Sequence, residues 1–158
     1  MSYPAPRYHD DDGEAKAQFR PADQAPELPM KASAASYLAT GNTTNGQFGL
    51  YRWDFTGPPS GPDPHFHRSV SESFFVLSGT VRLYDGIRWT DASAGDFLYV
   101  PEGSVHGFRN ESGEPASMLL LFAPGAPREG YFEGLAGLAQ LTEEERAQFF
   151  VDHDTYWC

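Results

Sequence analysis

Short apolar segments separated by Gly and Pro turns occupy the middle of the chain and predict β-strands. The clearest is Gln47–Phe55. Its aromatic residues Tyr51, Trp53 and Phe55 recur at every second position, so they share one face of a strand. Further strands are predicted at Ala32–Thr40, Phe74–Leu77, Thr80–Tyr84, Asp96–Val100, Ser104–Arg109 and Met118–Phe122. Strands this short favour an all-β fold with a closed or double-sheet architecture.

Three turn-forming segments divide these strands. Gly57–Pro62 contains three prolines and cannot continue a sheet, so it predicts a loop. Ser78-Gly79 and Asp85-Gly86 each separate two apolar segments and predict β-hairpin turns.

The two ends of the chain differ in composition from the strand region, and the predicted division is 1–31, 32–124 and 125–158. Residues 1–31 are rich in Pro, Ala and Asp and predict a loosely ordered arm. Such an arm packs on the barrel, packs on a second subunit of a homodimer, or stays disordered. The sequence leaves these alternatives open.

Residues 125–158 predict a short helical tail. A capping box, Thr142 to Glu145, predicts a helix from Glu143 to about His153 that would present Phe149, Phe150 and Val151 for packing. A second short helix is predicted within 127–140, although its three glycines weaken it. The tail is expected to cover one end of the barrel, and a substrate lid is the alternative.

Three histidines and one glutamate within the strand region make a ligand set for a divalent metal. His65 and His67 are two positions apart, so both point to the same side of an extended strand. Glu72 and His106 complete the set. Three imidazoles and one carboxylate suit Mn, Fe, Co, Ni, Cu or Zn, whereas Ca and Mg prefer oxygen ligands. One ion per chain is expected, with up to two positions open for water or substrate.

The two segments that carry these ligands resemble the two motifs of the cupin superfamily. The first has the pattern H-x-H-x4-E-x6-G and the second the pattern G-x5-P-x-G-x2-H-x3-N, with the fixed positions His65, His67, Glu72, Gly79, Gly95, Pro101, Gly103, His106 and Asn110. One position departs from the family pattern: Pro59 stands where a glycine often precedes the first histidine. The resemblance covers about residues 40–123. It implies a jelly-roll β-barrel that holds the metal inside through the four ligands.

Within the superfamily the chain is similar to small single-domain cupins of the quercetinase-like group. These enzymes cleave flavonol rings with O2. In that group the metal binds a substrate oxygen and the ligand glutamate takes the proton of the substrate hydroxyl, a role that would fall on Glu72. The resemblance therefore implies a metal-dependent dioxygenase that acts on an aromatic or enol substrate.

Aromatic residues make up 15% of the chain and predict an apolar substrate pocket. The candidate lining residues are Tyr51, Trp53, Phe74, Tyr99, Phe108 and Phe122. The same ligand set also serves a non-redox isomerase or polyketide-type cyclase, in which the metal acts as a Lewis acid. A non-catalytic small-molecule-binding barrel is the third class, although it has no need of four intact ligands.

The net charge of −11 argues against nucleic acid and anionic membrane as partners, because both bind basic surfaces. The chain has no apolar segment near 18 residues, and the sequence after Met1 shows no signal peptide. The single cysteine, Cys158, has no partner for an intrachain disulfide. A cytoplasmic protein is therefore expected.

Overall fold

Alternating burial along the central strands separates the inside of a β-barrel from its outside. In the computed structural model, which describes residues 1–158, Gly49–Phe55 and Ala116–Ala123 alternate strictly between buried and partly exposed positions. The two strands pair in antiparallel orientation, with Trp53 opposite Met118. Because side chains on a strand alternate between faces, one face of this pair lies in the core.

Eleven strands and two α-helices make up the fold. The strands are β1 (Leu28–Pro29), β2 (Ser33–Ala39), β3 (Gly49–Phe55), β4 (His65–Phe66), β5 (Ser71–Ser78), β6 (Thr80–Tyr84), β7 (Trp89–Ser93), β8 (Phe97–Val100), β9 (Gly107–Arg109), β10 (Ala116–Ala123) and β11 (Tyr156–Trp157). The helices are α1 (Arg128–Gly134) and α2 (Glu143–Asp152), and a 3₁₀ helix, Leu135–Gln140, lies between them.

The strands form three antiparallel sheets. The largest has the order β1-β2-β3-β10-β5-β8, the second β7-β6-β9, and the third pairs β11 with β4. The core contains 18 buried apolar residues, and Tyr51, Phe74 and Met118 are among the fully buried ones. The prediction of an all-β jelly-roll barrel with a short C-terminal helical segment is confirmed. No helix of the protein has both the length and the apolar character that crossing a bilayer requires.

The turn at Ser78-Gly79 is not the predicted hairpin. β5 pairs with β8 and β10, whereas the next strand, β6, pairs with β7 and β9. The chain therefore passes from one sheet to the other at Gly79, a crossing that local turn residues cannot distinguish from a hairpin. The second prediction is confirmed: β6 and β7 form a hairpin whose turn is held by the Asp85 carboxylate, which accepts the N–H groups of Ile87 at 2.8 Å and Arg88 at 2.9 Å.

The tail contains the predicted capping box. Thr142 Oγ1 accepts the N–H of Glu145 at 3.2 Å, and the Glu145 carboxylate accepts the N–H of Thr142 at 2.8 Å. The helix that follows ends one residue earlier than predicted. Val151 is exposed, which corrects the expectation that it packs, whereas Phe149 and Phe150 contact the core.

We predict that Gly79→Ala destabilises the protein more than Gly113→Ala does. Both glycines have φ near +75°, at +71° and +80°, so alanine costs about 1 kcal/mol at either position. Only at Gly79 would the added Cβ also meet backbone atoms, the Pro115 carbonyl oxygen at 2.5 Å and Ala116 Cα at 2.8 Å. Overpacking of this kind adds about 1–3 kcal/mol. Urea unfolding measures the difference, and equal losses for the two variants would contradict it.

Candidate metal centre

The four predicted ligands converge inside the barrel. One potential ligand atom from each of His65, His67, Glu72 and His106 lies within 4.8 Å of the others, and all four side chains are buried. They come from β4, the turn after it, β5 and the segment before β9. The cluster therefore depends on tertiary packing between segments that are far apart along the chain.

Backbone hydrogen bonds fix the two histidine segments against each other. The N–H of His65 donates to the carbonyl of His106 at 2.9 Å, and the N–H of His106 donates back at 2.8 Å. Gly103, in the turn before His106, donates its N–H to the carbonyl of His67 at 2.7 Å. The spacing of the two motifs thus places three imidazoles on adjoining pieces of backbone.

Each imidazole is oriented through its Nδ1 atom. Nδ1 faces the carbonyl oxygen of Asp63 at 2.8 Å in His65, of Ser104 at 3.0 Å in His106, and of Asp154 in His67. A carbonyl oxygen only accepts hydrogen bonds, so this pairing assigns a proton to every Nδ1. In the neutral rings Nε2 then carries a lone pair, and that lone pair is what a metal ion binds.

The Glu72 carboxylate faces two of these Nε2 atoms. Its Oε2 lies 3.2 Å from Nε2 of His67 and 2.8 Å from Nε2 of His106. Burial alone would raise the pKa of Glu72, but its contacts with His106 and His67 outweigh this effect and hold that pKa well below its usual range. Burial and the neighbouring His106 lower the pKa of His65 to about 4, although the charge of Glu72 opposes this shift.

These contacts suit a bound cation. Two neutral Nε2 atoms and a carboxylate oxygen would bring lone pairs against lone pairs, which is unfavourable unless a proton or a cation lies between them. Without a metal the proton lies on His106. Burial would lower the pKa of this ring, but the contact with Glu72 outweighs burial and raises it. A divalent ion replaces such protons, as metal binding to histidine generally does. The His3Glu cluster therefore has the donor set and the arrangement to hold a metal ion.

A cavity of about 440 Å³ opens beside the cluster. His65 and Glu72 belong to its wall, and 11 of its 19 lining residues are hydrophobic. This volume lies in the range of small-molecule sites, and a mainly apolar wall with a few polar groups is typical of them.

Three of the six predicted pocket residues lie in the wall of this cavity: Trp53, Phe108 and Phe122. The other three are corrections. Tyr51 and Phe74 are fully buried in the core, where the Tyr51 hydroxyl donates to Glu129 and the Phe74 ring packs 5.6 Å from that of Phe108. Tyr99 is 57% exposed because its neighbour Val100 points into the barrel, which places Tyr99 on the outer face of β8.

The tail contributes residues to the cavity wall that the sequence did not single out. Arg128, Phe150 and Trp157 all line the cavity, and the Trp157 ring lies 5.2 Å from the ring of His65. β11 is added to β4, with Trp157 opposite His65. The aromatic content of the tail was the available signal, but it does not specify which part of the barrel the tail contacts.

Comparisons with known proteins agree with this architecture. The cupin domain family matches residues 54–122. An uncharacterised protein of Streptomyces coelicolor is 32% identical over 98 residues, which is 62% of this chain and 89% of that protein. Quercetin 2,3-dioxygenase of Bacillus subtilis is 31% identical over 61 residues, 39% of this chain but 18% of that enzyme.

A solved structure with the same fold is the polyketide cyclase RemF from Streptomyces resistomycificus. The two superpose with a TM-score of 0.57 at 21% identity, over 72% of this chain and 82% of RemF. With two motifs, the barrel, the His3Glu cluster and these relatives in agreement, the chain belongs to the cupin superfamily.

Proposed function

We propose that the protein is a metal-dependent dioxygenase of the quercetinase-like type, with one divalent transition metal per chain bound by His65, His67, Glu72 and His106. The observation that carries the proposal is the position of the His3Glu cluster in the wall of an apolar cavity of about 440 Å³. Aromatic rings of Trp53, Phe108 and Phe122 line that cavity and suit a planar aromatic or enol substrate. The local similarity to quercetin 2,3-dioxygenase supports the same reaction class.

A bound metal would supply a Lewis-acid centre that makes a substrate hydroxyl more acidic. The three histidines hold their Nε2 atoms in place because each Nδ1 is fixed to a backbone carbonyl. Glu72 accepts the substrate proton. Its low pKa makes it a weak base in the resting site, so it must first release its contacts within the cluster. Trp157 and Phe150 add apolar surface to the cavity wall on the side of the tail.

Metal analysis followed by oxygen uptake tests the proposal. Protein purified without added metal is analysed for its elements, reconstituted, and assayed with a panel of flavonols and catechols in an oxygen electrode. Oxygen consumption coupled to substrate loss supports the dioxygenase. Product formation without oxygen consumption would replace it with a non-redox isomerase or cyclase, and binding without turnover would replace it with a non-catalytic barrel. Metal occupancy near zero after reconstitution would overturn all the metal-dependent alternatives.

We predict that Glu72→Gln keeps most of the metal but loses turnover. Three histidines remain as ligands, whereas the amide cannot accept the substrate proton. Loss of a general base lowers the rate by about 10²–10⁴-fold. The assay uses protein whose metal content has been measured, and Glu102→Gln removes an exposed carboxylate from a nearby loop as the control. Near-normal rates in metal-loaded Glu72→Gln would show that Glu72 is only a ligand.

We predict that Asp154→Ala weakens metal binding although Asp154 is not a ligand. Its carboxylate accepts the N–H of Arg68 at 2.9 Å and the N–H of Ser69 at 2.8 Å, and these bonds hold the Asp154 carbonyl against Nδ1 of His67. Loss of such a supporting contact typically lowers metal affinity about 10–100-fold. Competition with a chromophoric chelator measures the affinity.

The matched control is Asp152→Ala. Asp152 belongs to the same segment, but its side chain only accepts a hydrogen bond from Gln148 at 2.7 Å. The Asp152→Ala variant should therefore leave the affinity for the metal unchanged. Equal metal affinities in the wild-type protein, Asp154→Ala and Asp152→Ala would show that the tail does not support metal binding.

We further propose a homodimer formed through the outer face of β5 and β8. β8 is the last strand of the large sheet, and Phe75, Leu77, Phe97 and Tyr99 are 39–62% exposed on or beside it. An edge strand with apolar neighbours can pair with its own copy about a twofold axis.

Sedimentation velocity should therefore show a dimer that Phe97→Glu converts to monomer. Ile87→Glu is the control, since Ile87 is 87% exposed in the distant β6–β7 turn. A monomeric wild-type protein would refute the interface.

A further inference from the structure

Arg128 is a buried cation in the wall of the cavity. It is the first residue of α1 and only 4% exposed. It shares the cavity wall with His65 and Glu72 of the cluster. Neither the motif ligands nor the proposed proton transfer gives it a role.

The hydrogen-bonding capacity of Arg128 is largely unused. Nη1 donates to the carbonyl of His153 at 2.6 Å, while Nε is buried without a partner. No carboxylate lies within salt-bridge distance of the guanidinium, whereas four other arginines pair with Asp or Glu: Arg20, Arg52, Arg82 and Arg109. A guanidinium has five N–H donors, and a buried one normally meets a carboxylate or phosphate.

Aromatic rings hold the guanidinium in place. Its central carbon lies 4.2 Å from the ring centroid of Tyr131, 5.0 Å from that of Phe122 and 5.7 Å from that of Phe132. Phe122 is also 6.1 Å from the ring of His67, so a single phenyl ring neighbours both the cation and the metal cluster. Cation–π contacts of this kind orient an arginine while leaving its N–H edge free for a ligand.

The charge of the cavity changes when the cluster is loaded. Burial lowers the pKa of Arg128, and the negative charge of Glu72 is the largest of the influences that oppose this effect. A divalent ion on the cluster more than neutralises that carboxylate. The loaded cavity would then contain two positive centres, the metal ion and Arg128, while Asp63, the other carboxylate in its wall, is already paired with Arg109. A buried charge without a counter-charge is costly, so an anionic ligand is stabilised here.

We infer that the substrate of this cavity carries a carboxylate, which pairs with Arg128 while another oxygen of the same molecule reaches the metal. This inference rests on the proposed function for the metal and deepens it by naming the substrate class, an aromatic or enolic acid. The apolar wall receives the ring. The planar fork of the guanidinium matches a carboxylate in a way that a lone ammonium group does not.

Matched ligands test the inference without any turnover. The protein is loaded with Zn²⁺, which is redox-inert, and titrated calorimetrically with 3,4-dihydroxybenzoate and with 3,4-dihydroxybenzamide. The two share the ring and the catechol oxygens, and only the first bears a carboxylate. We expect the acid to bind about tenfold tighter or more, as a charge-assisted contact predicts. Equal affinities in the wild-type protein would overturn the inference.

Arginine variants test whether Arg128 is the residue that causes the preference for the acid. Arg128→Met should abolish the preference for the acid, while Arg128→Lys, which keeps a charge but not the fork, should retain part of it. Arg82→Met is the control, because Arg82 is paired with Asp91 and Glu111 on the exposed three-stranded sheet, and it should keep the full preference. A preference that persists in folded Arg128→Met would show that the carboxylate binds elsewhere, for example on the zinc itself.

Folding and function are controlled separately. Near-ultraviolet circular dichroism and zinc content establish that each variant is folded and loaded. If Arg128→Met does not fold, the wild-type ligand pair and Arg128→Lys still decide the question. A preference for the acid without oxygen uptake on any substrate would remove the dioxygenase proposal alone. Oxygen uptake on neutral flavonols without a preference for the acid would remove only the inference about Arg128.

Discussion

The candidate site depends on one repeated interaction, the contact between an imidazole Nδ1 and a backbone carbonyl. It occurs at all three histidines and turns every Nε2 toward the interior. Two of those carbonyls, from Asp63 and Ser104, lie two residues before the histidine they orient. The third comes from Asp154 in the tail. The barrel therefore orients two of the rings through local geometry and needs the tail for the other.

The tail is thus a structural part of the centre. Through β11 it adds a strand beside β4, and through Trp157, Phe150 and Arg128 it supplies one side of the cavity. A mainly apolar wall lowers the local dielectric and strengthens the electrostatic interactions within it. The selection of an acid that we infer would therefore depend on Arg128, the buried cation of this wall.

The sequence predicted the parts of the structure that depend on short-range spacing. The interval between His65 and His67, the alternation of Tyr51, Trp53 and Phe55, and the Thr142 capping box all express fixed backbone geometry, and the structure places each as expected. The metal itself and the roles of its ligands remain predictions. The predicted division into 1–31, 32–124 and 125–158 also remains untested.

The errors concern relations between distant segments. A hairpin and a crossing between sheets use the same turn residues, so the sequence at Ser78-Gly79 does not distinguish the two. Tyr99 was assigned to the pocket because aromatic content does not reveal which face of a strand is inward. Arg128 follows a proline in a polar segment, and nothing local indicates that it is buried beside the cluster. Such facts follow from how the tail packs, which no local pattern encodes.

The distance along the chain between His67 and its orienting carbonyl has a consequence for folding kinetics. The two residues are 87 positions apart, and His106 lies 34 positions from the Glu72 carboxylate that it contacts. Closing such long loops is entropically slow, so contacts of this kind form late. We therefore expect the oriented His3Glu cluster to be incomplete in early, partly folded chains. Because binding to the assembled site favours the native state over the unfolded one, metal capture would act as a final step that draws the folding equilibrium forward.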